Sequence, residues 1–209
     1  VILICGEGYT KNQQQKFVND VKKVWEGAMQ HEPYRSYADR FNVYALCTAS
    51  ESSFNSGGST FFDVVIDKNS GPIIAISKSI CKNHIFERCI GPAFLEQIHD
   101  VHIPKKVDPN SSYWVGNNSP LSEYEPFYYV HEYINQFAIL VNTNQDFGGS
   151  HRNYERGIHY LVTPADSDRA QKTFTHELGH GLLELGDEYM SSTTQQTDLT
   201  SLNVAHTHD

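Results

Sequence analysis

Apolar and polar residues follow one another along this chain in patterns that predict a strand, a helix and a second strand at its beginning. Residues 1–5 form a continuous apolar run, which is typical of a buried strand. Between residues 11 and 29, apolar side chains recur at the spacing of one helix face. The polarity of residues 41–46 alternates well enough to predict the second strand. This order indicates a βαβ unit with a parallel sheet, so the predicted fold class is α/β.

Two more strands are predicted in the second half of the chain. Residues 137–141 are all apolar and predict a buried strand, and residues 158–162, which are apolar apart from His159, predict a further short strand. Between them, residues 146–150 contain two glycines, which fit either a simple turn or a place where another backbone approaches closely. Residues 67–119 have weak periodicity and scattered Pro, Gly and Asn, so we expect an irregular insertion or subdomain there.

A second helix is predicted between about residues 168 and 185. Polar residues come first, and an apolar face at near-helical spacing follows, made by Phe174, Leu178, Leu182, Leu183 and Leu185. Ser167 or Asp168 can cap the start of this helix. Gly186 is the expected stop, because glycine accepts the left-handed conformation found just past many helix ends.

This helix carries a pattern in which the spacing itself favours a particular chemistry. His176 and His180 are four residues apart, so both imidazoles can reach one zinc ion from the same helix face. Glu177 then lies beside the metal, where a carboxylate can act as a general base. The chain contains 11 histidines, so a chance match is a real alternative, and the incomplete copy that begins at His131 is interpreted as an ordinary polar stretch.

A third metal ligand is expected directly after the helix. Catalytic zinc sites usually have three protein ligands and keep one position open. Asp187 follows the predicted glycine stop, so the chain can turn there and bring this carboxylate to the metal. Asp187 is therefore the predicted third ligand, with Glu188 or a residue outside this stretch as alternatives and Glu184 as a weaker one.

The motif and its surroundings resemble a known family, the M64 metallopeptidases, which are named for the immunoglobulin A peptidase of gut bacteria. The likeness lies first in HELGH (residues 176–180) followed by DEY (187–189). The segments CGEGYT (5–10), EPY (32–34), FNVY (41–44), TFFD (60–63) and FGG (147–149) also resemble the family and occur in the expected order. The chain departs from the commonest metzincin spacing, because its carboxylate comes one residue later.

The resemblance implies a metzincin-like zincin fold: a mixed, mostly parallel twisted sheet with an HExxH active-site helix. It implies a Zn²⁺-dependent endopeptidase, secreted or at the cell surface, that acts on protein or peptide substrates, host glycoproteins among them. Residues 1–209 are expected to form one catalytic domain with its metal-site core in residues 131–190. Because the chain opens in a strand without methionine, we expect it to be part of a longer precursor. The resemblance implies more chain after this region, so we expect truncation at both ends.

Composition excludes some classes of function. The net charge of −9 argues against nucleic acid as the main partner, and no apolar run is long enough to predict a membrane span. Four cysteines permit two disulfides. Cys81 with Cys89 is the favoured pair, whereas Cys5 and Cys47 either meet on neighbouring strands or remain buried thiols.

Two alternative functions stay open at this point. A binding or adhesion module could use the fold with a structural zinc, but such a site needs no general base and would be closed by a fourth ligand such as His206 or His208. A non-proteolytic zinc amidase is the other alternative. An elongated cleft beside a free strand edge would favour peptides, and a small enclosed pocket would favour the amidase.

Overall fold

A five-stranded sheet lies at the centre of the protein, seen here in a computed structural model that describes residues 1–56, 58–67, 71–74, 134–153 and 159–186. In chain order the strands are β1 (Ile2–Glu7), β2 (Val43–Leu46), β3 (Val64–Asp67), β4 (Gly71–Ile74), β5 (Gln136–Val141), β6 (Ser150–Asn153) and β7 (His159–Pro164). The central sheet has the order β2-β1-β5-β7-β6. Its first four strands are parallel, and β6 runs antiparallel to β7 at the edge. The prediction of an α/β fold with a mixed, mostly parallel sheet is confirmed.

Within the described residues, two helices cover one face of this sheet. Helix α1 (Gln14–Ala28) follows a short 3-10 turn (Lys11–Gln13), and helix α2 (Ala170–Leu183) follows β7. Both helices pack on the sheet through a shared core that includes Phe17, Val21, Val24, Phe174 and Leu178 from the helices and Ile2, Ile4, Ala138, Leu140 and Leu161 from the strands. Burying each large apolar side chain contributes about 1.5–3 kcal/mol, so this core fixes α2 against the sheet.

The opposite face of the sheet is covered by the chain around residues 54–64. Phe62 and Val64 are buried there against Leu3, Phe137 and Ile139. Because β1 and β5 are covered on both faces, all their residues are buried. This burial is the physical reason for the continuous apolar runs that predicted these strands.

Glu7 ends β1 as a fully buried carboxylate. Its Oε1 accepts hydrogen bonds from the Thr60 hydroxyl at 2.5 Å and from the Val64 N–H at 3.0 Å, and its Oε2 accepts one from the Phe62 N–H at 2.8 Å. Burial raises the pKa of Glu7, and the three hydrogen bonds oppose that rise. This side chain therefore fastens the covering segment to the end of the central strand.

The Glu7→Gln variant is expected to lower the free energy of unfolding by about 1–3 kcal/mol. The glutamine amide would turn an N–H donor toward a buried backbone N–H, which then lacks an acceptor. Urea unfolding followed by circular dichroism measures the change. Glu51→Gln, at an exposed carboxylate of the same region, is the control and should leave the midpoint in place. Equal midpoints for all three proteins would contradict this assignment.

The ends of α2 differ from the prediction. Arg169 precedes the helix without a side-chain cap hydrogen bond, so neither Ser167 nor Asp168 caps it. The left-handed residue at the other end is Glu184 (φ 53°, ψ 34°) rather than Gly186. The prediction of Gly186 as the helix stop was therefore wrong, because the chain leaves the helix two residues earlier.

Three short strands were not predicted. β3 and β4 form a hairpin at the start of the region expected to be irregular, so that region begins in regular structure; residues 75–133 lie outside the described part of the chain. β6 pairs with β7 from Ser150 to Asn153, where the sequence pattern predicted only a glycine-containing segment.

Candidate active site

Helix α2 places His176 and His180 one turn apart on the same face. Their Nε2 atoms are 3.1 Å apart, and the two rings are nearly perpendicular (83°) with centroids separated by 4.6 Å. His176 is exposed and His180 is half-buried. The spacing in the sequence is thus realised as two ring nitrogens that converge on one point at the protein surface.

The orientation of His180 is set by the turn that follows the helix. Its Nδ1 lies 2.5 Å from the carbonyl oxygen of Leu185. A carbonyl only accepts hydrogen bonds, so the proton of the ring is at Nδ1 and the lone pair is at Nε2, toward His176. The left-handed Glu184 makes this turn, and the N–H groups of residues 184 and 185 both donate to the carbonyl of Gly179.

Glu177 lies between the histidines in sequence but on the buried side of the helix, with 6% of its surface exposed. Its side chain packs against the backbone of Gly149, immediately before β6. Glu177 is thus a largely buried carboxylate on the same helix turn as the two histidines, in contact with the segment that precedes β6.

His151 is a neighbour of this site that the sequence analysis did not identify. It lies opposite Leu161 in the β6–β7 ladder, so it projects from the helix-facing side of the sheet. Its ring centroid is 6.3 Å from that of His180 at a tilt of 35°. Nothing in the sequence marks His151 except its position two residues after Gly149. That position indicates the side to which the ring projects only once β6 is known to be a strand.

The two histidines fit a shared metal ion. Two nitrogens bound to one tetrahedral zinc at about 2.0–2.1 Å lie about 3.3 Å apart, close to the separation of the Nε2 atoms. Among the residues that the structure describes, no group of three or more His, Cys, Asp or Glu side chains is arranged to hold a metal ion. Asp187 and Glu188 lie outside those residues, and Glu184 is exposed on the turn after the helix.

The remaining cysteine and histidine predictions have mixed outcomes. Cys5 is buried in β1, whereas Cys47 is exposed and lies directly after the neighbouring strand β2; both are free thiols. Burial raises the pKa of the Cys5 thiol well above its usual range, as expected of a buried thiol. The other cysteines and histidines discussed above lie outside the described residues: Cys81, Cys89, His131, His206 and His208.

Comparison with known proteins gives the site its context. Within the described residues, no helix has the length and apolar character needed to cross a membrane. No curated protein matches the chain. The family IgA Peptidase M64 matches residues 1–71 and 129–203, which include the β1–β2 unit, strands β5 to β7 and the whole of helix α2. With more than half of its length matched, including both histidines and Glu177, the chain belongs to the IgA peptidase M64 family.

Proposed function

We propose that this protein is a zinc-dependent endopeptidase. The observation that carries the proposal is the 3.1 Å separation of the two Nε2 atoms, on a helix that also carries the buried carboxylate of Glu177, in a member of a peptidase family. His176 and His180 would hold Zn²⁺, and Asp187 is proposed as the third ligand. When bound, the zinc would supply Lewis-acid chemistry that polarises a carbonyl and acidifies water.

The chain's own residues carry the proton transfers in this proposal. The Glu177 carboxylate accepts a proton from the attacking water and returns it to the nitrogen of the leaving amine. Its burial keeps bulk water away from that exchange. His180 keeps its Nε2 lone pair available because Nδ1 donates to Leu185.

Strand β6 supports a peptide as the substrate. In the described part of the chain it is an edge strand, paired with β7 on one side only, and it contacts helix α2. An extended peptide can add to such an edge through backbone hydrogen bonds. Strand addition here would place the peptide beside the helix that carries Glu177. A glycoprotein substrate and secretion or display at the cell surface belong to the same proposal, and the family resemblance alone supports them.

The test is hydrolysis of an unfolded protein and of a library of quenched fluorescent peptides by the full chain. We expect cleavage at internal bonds, identified by mass spectrometry, that stops when a chelator removes the metal and returns when zinc is added. Binding of zinc without any hydrolysis would instead support an adhesion module. Cleavage of small amides but of no polypeptide would support the amidase, and either result would overturn the proposal.

A further inference from the structure

Gly149 lies unusually close to Glu177. A Cβ atom placed on Gly149 would be 2.6 Å from Cγ and 2.7 Å from Oε1 of Glu177, and 2.7 Å from the side-chain methyl of Thr173. Non-bonded carbon atoms normally lie about 3.5–4.0 Å apart. The absence of a side chain at residue 149 is therefore what allows Glu177 to occupy its position.

The requirement for glycine at this residue is steric and not conformational. Gly148 has a φ of +74°, which favours glycine whatever surrounds it, whereas Gly149 is not among the residues with positive φ. An added Cβ at Gly148 would meet nothing within 4 Å. Gly148 is therefore favoured by its backbone conformation, whereas Gly149 is required by the lack of space around it.

A methyl group at residue 149 would displace the side chains of both Glu177 and Thr173. Thr173 lies within helix α2, where threonine divides between two χ1 rotamers, so a change of rotamer can turn its methyl group away. Glu177 has three rotatable side-chain bonds and can move its carboxylate away. The displaced atoms of Glu177 include Oε1 of its carboxylate, the group proposed as the general base.

We propose that Gly149 is a positioning residue for Glu177. This inference rests on the proposed function, because it takes Glu177 to be the general base. Gly149 is joined directly to β6, the strand proposed to bind the substrate. The contact between Gly149 and Glu177 therefore sets the separation between the carboxylate and a peptide held along β6.

The test compares Gly149→Ala with Gly148→Ala as its matched control. We expect Gly149→Ala to lower kcat by about 10- to 100-fold, because a displacement of about 1 Å can cost that much in rate. KM and the zinc affinity from chelator competition should stay within about twofold, since no proposed metal ligand and no residue of β6 is substituted. Gly148→Ala should unfold at a lower urea concentration because of its positive φ, with kcat within about twofold of wild type.

A double-mutant cycle separates positioning from general damage. In a Glu177→Gln background, Gly149→Ala should cause no further loss of kcat, because the group it displaces has already been disabled. If Gly149→Ala alone folds poorly, its combination with Thr173→Ser removes the second clash and should fold with the defect in kcat intact.

Three results would overturn the inference: an undiminished kcat, an equal loss in the Glu177→Gln background, or an equal loss in Gly148→Ala. A wild-type protein that cleaves no peptide would overturn the proposed function itself. Normal wild-type cleavage together with a fully active Gly149→Ala variant would overturn only the role of Gly149.

Discussion

Replacing Glu177 with glutamine is expected to lower kcat/KM for peptide cleavage by about 10²- to 10⁴-fold, the range that general acid–base catalysis contributes. Glutamine has nearly the same shape as glutamate, so it should keep the packing against Gly149. It accepts no proton at neutral pH, so water would lose its proton acceptor. Zinc stoichiometry should remain unchanged, because neither histidine is altered.

The control for this prediction is Glu26→Gln, which removes an exposed carboxylate from helix α1. Its kcat/KM should equal that of the wild type. Both variants should be assayed after their metal content has been measured, so that lost zinc is not mistaken for lost chemistry. Activity of Glu177→Gln within tenfold of wild type, at full zinc occupancy, would show that another group is the base.

Replacing His180 with alanine is expected to weaken zinc binding by well over 10²-fold. Loss of a hydrogen-bond partner of a metal ligand typically costs about 10- to 100-fold in affinity, so loss of the ligand itself should cost more. This change removes one of the two converging Nε2 atoms and also the hydrogen bond to Leu185. Competition with a chromophoric chelator measures the affinity without any need for activity.

His31→Ala provides the comparison, because this histidine is exposed, follows helix α1 and takes no part in the site. Its zinc affinity should match that of the wild type, and His176→Ala should resemble His180→Ala. A wild-type affinity in both His176→Ala and His180→Ala would show that zinc binds elsewhere on the chain.

The strands that could be predicted from the sequence are those whose own residues form a recognisable apolar pattern. Strands β1 and β5 are covered on both faces, so nearly every residue in them is apolar and the pattern is unmistakable. The residues of β6, Ser-His-Arg-Asn, are polar. They form a strand because they pair with the edge of β7 that β5 does not occupy. No local preference of these four residues indicates that pairing.

The same distinction applies to the candidate site. His176 and His180 could be paired from sequence because helical spacing alone brings them together. The positions of His151 and Gly149 depend on how β6 packs on helix α2, a contact between distant parts of the chain. The helix end was mispredicted for a related reason: an exposed glutamate takes the left-handed conformation usually left to glycine, and the bonds to Gly179 and from His180 hold it there.

The left-handed backbone conformation of Glu184 connects a surface residue to the orientation of His180. The direction of the Leu185 carbonyl depends on the φ and ψ of residue 184, and that carbonyl decides which nitrogen of His180 keeps its lone pair. A β-branched residue at 184 would resist this conformation, although its side chain would point into solvent. Natural or designed variation at this surface residue is therefore expected to change the affinity for the proposed zinc ion while every proposed ligand stays the same.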